Sequence, residues 1–218
     1  MIRDLEFMLA TPLPPVARKL GPFCIRFWGK PGTGKSRSVP VLIGPIMGCE
    51  TSESFYQKTY CRNNQEYWDG VGTRQCILYD DFGQNRTDPV DMLELILLIS
   101  AAPFMANMAN ISGTTPKGIS LDPKIVVVNS NVEQEYTSQI TEPAAIARRF
   151  HVAVHVTRQG NESRFSVTGG SMTTSSNLPK VQNLTLLEMQ RFLHATYALF
   201  ARERAEGLRQ VESLMVVS

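Results

Sequence analysis

Eight consecutive residues restrict this chain more than any other feature. Gly29-Lys30-Pro31-Gly32-Thr33-Gly34-Lys35-Ser36 satisfies the pattern G-x-x-x-x-G-K-[ST] without a mismatch. It follows directly on Phe23–Trp28 (FCIRFW), an apolar run between Gly-Pro and a glycine, which reads as a buried strand. Glycines at these places let backbone N–H groups turn inward around a cluster of anionic oxygens, and a helix starting at the end of the loop adds its positive end. Gly29, Pro31, Gly32, Thr33, Gly34, Lys35 and Ser36 are therefore the candidate nucleotide-binding residues. In this pattern Lys35 serves the β- and γ-phosphates of a triphosphate such as ATP, and the Ser36 hydroxyl is a ligand for Mg2+. Pro40 falls within the helix that should follow. It removes a backbone donor and disfavours helix at Val39, and Pro45 adds to the effect, so the helix is expected to be short, kinked or restarted.

A phosphate loop needs acids nearby. Cys76–Phe82 (CILYDDF) is a second apolar run, and it closes on Asp80 and Asp81. Acids at the carboxyl end of a central strand sit in the crevice where open α/β sheets bind ligands. Asp80 is the candidate second magnesium ligand, and Asp81 the group that orients or deprotonates an attacking water. Two adjacent acids repel, which a cation between them and a triphosphate relieves. The alternative is a solvated turn. Lys124–Ser130 (KIVVVNS) is a β-branched run, as in a central parallel strand, and Asn131 follows it. Its neutral amide can contact a γ-phosphate and the attacking water, or merely form a turn, and Asn129 and Ser130 compete for the role. Arg148 and Arg149 close a helix expected over 141–150. They either complement its dipole or act as an arginine finger on a transferring phosphoryl group.

The rest of the chain supplies the frame. With 43% hydrophobic and 19% charged residues over 218 positions, it can bury a sizeable core, and it is neither disordered nor highly charged. A net charge of +2 excludes a broad basic surface, so any nucleic-acid contact must be local. Cys24, Cys49, Cys61 and Cys76 lack the close spacing of a zinc knuckle or redox pair and read as reduced thiols; no zinc is expected. Met1–Leu9 carries Arg3, Asp4 and Glu6 and is no signal peptide. The stretch 92–109 is too interrupted to span a bilayer, and the abrupt ends suggest a piece of a longer polypeptide.

Further elements follow from local pattern. Residues 55–60 read as a second strand, and a helix capped by Thr87 or Asp88 with Pro89 in its first turn carries Met92, Leu93, Leu95, Ile96 and Ile99. Residues 107–122 read as loop, 151–156 as a strand, and 160–179 as a mostly polar linker with one short strand at 164–167. Thr185 and Glu188 stand in capping-box register before a helix with Met189, Phe192, Leu193, Tyr197 and Phe200 on one face, and a weaker helical tail is expected beyond Gly207. Strands alternating with helices, and too apolar to be exposed, predict a parallel α/β sheet covered on both sides. The division is an entry segment at 1–22, a core at 23–184, and a C-terminal helix and tail at 185–218.

Taken together these motifs resemble superfamily 3 helicases, in particular the non-structural ATPase of picorna-like positive-strand RNA viruses. GKPGTGKS resembles that family's motif A. Tyr67-Trp68-Asp69-Gly70 leading to Leu78-Tyr79-Asp80-Asp81-Phe82 resembles motif B, KIVVVNSN ending at Asn131 resembles motif C, and Ala147-Arg148-Arg149-Phe150 resembles the arginine-finger segment. The resemblance covers about residues 23–157 and implies a three-layer P-loop NTPase of AAA+ type with a central, mainly parallel sheet and a C-terminal helix. It implies ATP hydrolysis at one site by Lys35, Ser36, Asp80, Asp81 and Asn131. Arg148 and Arg149 would reach the next subunit of a homo-oligomeric, commonly hexameric, ring. It further implies single-stranded RNA, contacted by Lys117 in a pore-facing loop, and other viral replication proteins. The place would be the host cytoplasm at membrane-associated replication complexes, with the membrane touched only through segments absent from this chain. The C-terminal end resembles the family's self-association tail. An RNA motor is the first reading; an ATP-driven protein remodeller and a nucleotide-controlled assembly scaffold are the alternatives.

Overall fold

The strand that precedes the glycine-rich loop lies in the middle of the sheet. In a computed structural model, which describes residues 21–63, 65–83, 90–100, 102–108, 118–133, 144–170 and 180–216, β1 (Phe23–Trp28) is paired in parallel on both sides. With β2 (Thr59–Arg62), β3 (Cys76–Tyr79), β6 (Ile125–Ser130), β7 (Val152–Gln159) and β8 (Glu162–Gly169) it forms a six-stranded sheet in the order β2-β3-β6-β1-β7-β8. All pairs are parallel except the antiparallel edge pair β7–β8. Two strands, β4 (Phe104–Asn107) and β5 (Gly118–Leu121), form a small antiparallel sheet.

Alternation along the strands divides the apolar residues between two faces. Phe23, Ile25, Phe27, Val127, Val154 and Phe165 pack on one face with α1 (Lys35–Ile43), α2 (Ser52–Gln57) and α5 (Leu186–Val216). Cys24, Ile77, Tyr79, Val126 and Val128 pack on the other with α3 (Val90–Ile99), the β4–β5 pair and the residues around α4 (Ala144–Ala147). The result is a three-layer α/β fold with a central, mostly parallel sheet and a C-terminal helix, as expected for a P-loop NTPase.

Several local expectations are overturned. Residues 52–57 are helical, because Thr51 and Ser54 form a reciprocal cap, and the strand begins only at Thr59. Val39 is helical and α1 passes through Pro40 before giving way to a 3-10 turn at Gly44–Met47. The helix is thus short and restarted, but its end comes after the proline. The segment expected as loop contains β5 and the end of β4, and the short strand expected at 164–167 is present but twice as long, as β8, with Phe165 wholly buried. Helix α5 continues through Gly207 to Val216 without a break. Its capping box is present, with Glu188 accepting from the Thr185 N–H at 2.8 Å. Phe192 and Tyr197 pack against their own chain's core. The cap expected at Thr87 or Asp88, and Pro89 itself, lie outside the described residues.

Trp68 is 1% exposed and pins the second face. It stacks on Tyr60, meets Tyr79 and Phe104 edge-on, and donates through Nε1 to Glu94 at 3.2 Å. Glu94 also takes two bonds from Arg62, at 2.7 and 2.9 Å, and that guanidinium lies over the indole. This cluster ties β2, β3, α3 and β4 together just below Asp80.

His151, the residue before β7, accepts from the Cys24 N–H through Nδ1 at 2.9 Å and packs on Phe23 and on Phe200 of α5. Burial, with Arg204 nearby, lowers its pKa from 6.5 to about 4. A folded-state value below the unfolded one means the neutral ring stabilises the fold. That contribution is complete above pH 6.5 and is lost as pH falls toward about 4. The melting temperature should therefore decline over this window, and His151→Asn, which keeps an acceptor without titrating, should flatten the decline. Equal slopes for both proteins between pH 7 and pH 5 would remove His151 from this role.

Candidate active site

The carboxyl ends of β1, β3 and β6 lie side by side, and each candidate group hangs from one of them. The loop after β1 is shaped by three glycines with φ of +151° (Gly29), +78° (Gly32) and +91° (Gly34), and Gly34 is the residue from which α1 starts. Lys35 opens that helix and is 8% exposed. Its Nζ donates to the carbonyls of Gly29 at 2.7 Å and Lys30 at 3.1 Å, and to Asn131 Oδ1 at 2.9 Å. Burial lowers the Lys35 pKa, and Asp81 and Asp80 oppose that shift.

Two hydrogen-bonded threads cross the site. In the first, Asn131 links Lys35 to Asp81, donating through Nδ2 to Asp81 Oδ1 at 2.9 Å. In the second, Ser36 Oγ donates to Asp80 Oδ1 at 2.9 Å, and Asn129 Nδ2 donates to the same carboxylate at 2.9 Å. Asn129 and Asn131 thus do separate things, one on each acid, while Ser130 is buried and donates to the Phe82 carbonyl. Asp81 has φ +55°, a left-handed conformation that Asp adopts more readily than most residues, and it turns the chain so that the two acids diverge. A cleft of about 290 Å³ is lined by Pro31, Gly32, Gly34, Lys35, Ser36, Asp80, Asp81 and Asn131, with Arg37 at its rim. Of the loop residues, Gly29 and Thr33 stay behind the lining: Lys35 bonds the Gly29 carbonyl, and Thr33 Oγ1 donates to that of Lys30 at 2.9 Å.

The oxygens here suit a hard cation. The Ser36 hydroxyl and the Asp80 carboxylate are adjacent, and beside them Asn129 Oδ1 is buried with no hydrogen-bond partner among the described residues. Ser36 and Asp80 are the side chains that would hold magnesium.

Arg148 and Arg149 are not in this cleft. They follow α4 in a turn, Arg148 exposed and Arg149 half-buried. Burial, with Arg148 adjacent, lowers the Arg149 pKa. Because β7 runs parallel to β1, with the His151 N–H bonded to the Cys24 carbonyl, the turn lies at the opposite end of the strands from the glycine-rich loop. Six strand residues separate the two levels, or about 20 Å at roughly 3.3 Å per residue. Lys117 lies outside the described residues.

Three supporting residues escaped the sequence reading. Arg26, the one cation in the apolar run of β1, is 7% exposed and donates to the carbonyls of Val132 and Glu133 at 2.8 and 2.6 Å, bracing the turn that carries Asn131. A charge inside an otherwise apolar strand was the available signal. Arg158 donates to the Gly32 carbonyl and Ser163 to that of Thr33. Nothing local in the sequence ties 158 or 163 to a loop some 130 residues earlier.

Comparison with known proteins adds the context. The family model described as RNA helicase matches residues 25–132. The RNA1 polyprotein of Cowpea mosaic virus (strain SB) is 34% identical over 141 residues, covering 62% of this chain and 7% of that polyprotein. The replicase polyprotein of Acute bee paralysis virus (strain Rothamsted) is 26% identical over 176 residues, 75% of this chain and 9% of its own length. The genome polyprotein of Avian encephalomyelitis virus (strain Van Reokel) is 25% identical over 186 residues, 84% of this chain and 8% of its own. The chain spans less than a tenth of each of these relatives.

Proposed function

We propose, from the premise that residues 25–132 belong to the RNA helicase family, that this chain hydrolyses ATP to translocate on or remodel RNA during replication of a positive-strand RNA virus. The observation that carries the proposal is the double thread at the strand ends. Lys35, Asn131 and Asp81 form one hydrogen-bonded line, and Ser36, Asp80 and Asn129 another, both at the mouth of a glycine-rich loop.

The chemistry follows from those positions. Backbone N–H groups of the loop receive the phosphates, and Lys35 balances charge on the β- and γ-groups. Magnesium held by Ser36 and Asp80 would neutralise further phosphate charge when bound. Asp81 accepts a proton from the attacking water or orients it, and Asn131, bonded to both Lys35 and Asp81, sets the spacing between phosphate and water. Arg148 and Arg149, about 20 Å from their own loop by the strand rise, act on the site of a neighbouring copy. That assignment makes the working form a homo-oligomeric ring, in which residues 23–184 are the catalytic core and 185–218 assist self-association. RNA contact by Lys117, work beside other viral replication proteins, and location at membranes in the host cytoplasm rest on the family resemblance and the viral relatives. No helix among the described residues is long and apolar enough to cross a membrane.

The decisive experiment measures ATP turnover per chain against protein concentration, with and without single-stranded RNA. A steep rise with concentration, and a further several-fold rise with RNA, are expected. Turnover indifferent to RNA would favour a protein remodeller. Assembly driven by ATP with negligible turnover would favour a scaffold, and no interaction with ATP at all would end the reading.

A further inference from the structure

The β7–β8 hairpin holds two carbonyl groups of the glycine-rich loop. Gly29 and Lys30 present theirs to Lys35, and Gly34 presents its carbonyl to the N–H and hydroxyl of Ser38. Between these, the Gly32 carbonyl accepts from Arg158 at 3.2 Å and the Thr33 carbonyl accepts from Ser163 Oγ at 2.8 Å. Both donors come from the hairpin: Arg158 near the end of β7, where its Nε also braces the turn through the Gly160 carbonyl at 3.1 Å, and Ser163 near the start of β8.

The approach is close enough to dictate the loop's composition. A Cβ on Gly34 would lie 2.4 Å from Ser163 Oγ, and a Cβ on Gly29 would lie 2.2 Å from the Val156 carbonyl oxygen. Two of the motif's glycines are therefore needed for contact with the hairpin as well as for their positive φ.

The chemical consequence concerns one peptide plane. In a planar trans peptide the C=O of Thr33 and the N–H of Gly34 point in opposite directions. Ser163 holds the carbonyl from behind, while Gly34 itself lines the cleft. Fixing the carbonyl outward thus fixes the Gly34 N–H toward the phosphate position. We infer that Ser163, assisted by Arg158, is a positioning residue that presets this amide for the phosphates of the nucleotide. This rests on the triphosphate reading above and deepens it, by making affinity depend on a hairpin outside the matched family segment 25–132.

The test compares wild type, Ser163→Ala, Ser163→Thr and Arg158→Ala at one fixed protein concentration. The readouts are KM and kcat for ATP, direct binding of a fluorescent ATP analogue, and melting temperature without nucleotide. For Ser163→Ala, a loss of one neutral hydrogen bond predicts a KM raised about fivefold, and kcat within about twofold of wild type. Ser163→Thr, which keeps the hydroxyl, should restore KM, and Arg158→Ala should move KM in the same direction by less. An unchanged KM in Ser163→Ala overturns the inference. So does a lowered melting temperature with KM and kcat impaired together and no rescue by threonine, since that is general loosening. A wild type that neither binds nor hydrolyses ATP is a different failure: it removes the triphosphate reading itself.

Discussion

Lys35→Ala is expected to reduce ATP turnover by at least about a hundredfold. The side chain is 8% exposed and makes three hydrogen bonds, two to the loop's own carbonyls and one to Asn131. Its removal takes away the positive charge opposite the phosphates and also the clasp that closes the loop over the helix start. Alanine is a good helix former, so α1 itself should survive. Phosphate release and analogue binding, measured on the same preparation, separate the two losses, and both should be impaired. A Lys35→Ala protein that turns ATP over within a few-fold of wild type would show that this loop is not where hydrolysis happens.

Asp81→Asn should instead separate binding from turnover. Asparagine tolerates the left-handed backbone at φ +55° as aspartate does, and it can still meet the Asn131 amide, so the loop geometry is retained. What disappears is the basic oxygen. Affinity for an ATP analogue should stay within about twofold while turnover falls by a hundredfold or more, the ordinary contribution of a positioned base. Unaltered turnover would take Asp81 out of the chemistry and leave Asp80, with Asn129, as the acid to examine.

How legible this arrangement was depends on the range of the interaction that makes each part. The glycine-rich loop and the runs Phe23–Trp28 and Ile125–Ser130 could be read directly, because a strand covered on both faces is apolar at nearly every position. The acids and Asn131 were legible because they sit immediately beyond such runs. Helix α2 was hidden: its cap uses serine at the third position in place of glutamate, and only Phe55 is buried. Strand β5 and the full length of β8 were hidden for another reason. Each is an edge strand whose identity comes from a partner, and β8 announces itself with only Phe165 and Val167. Ser163 was invisible, since its importance is a contact with Thr33 and nothing in its own neighbourhood marks it.

Four residues of β7, Val152–His155, pair with β1 on one side, and Ala153–Gln159 pair with β8 on the other. The turn bearing Arg148 and Arg149 precedes this strand, and the grip on the glycine-rich loop lies at its far end. One continuous strand thus joins the arginine turn to the grip on the loop. In the ring proposed above, a shift of one copy's glycine-rich loop would be passed along this strand toward the arginine pair it offers its neighbour. Sequential firing around the circle would then need no dedicated relay, because the beam that feels one event is the beam that delivers the next.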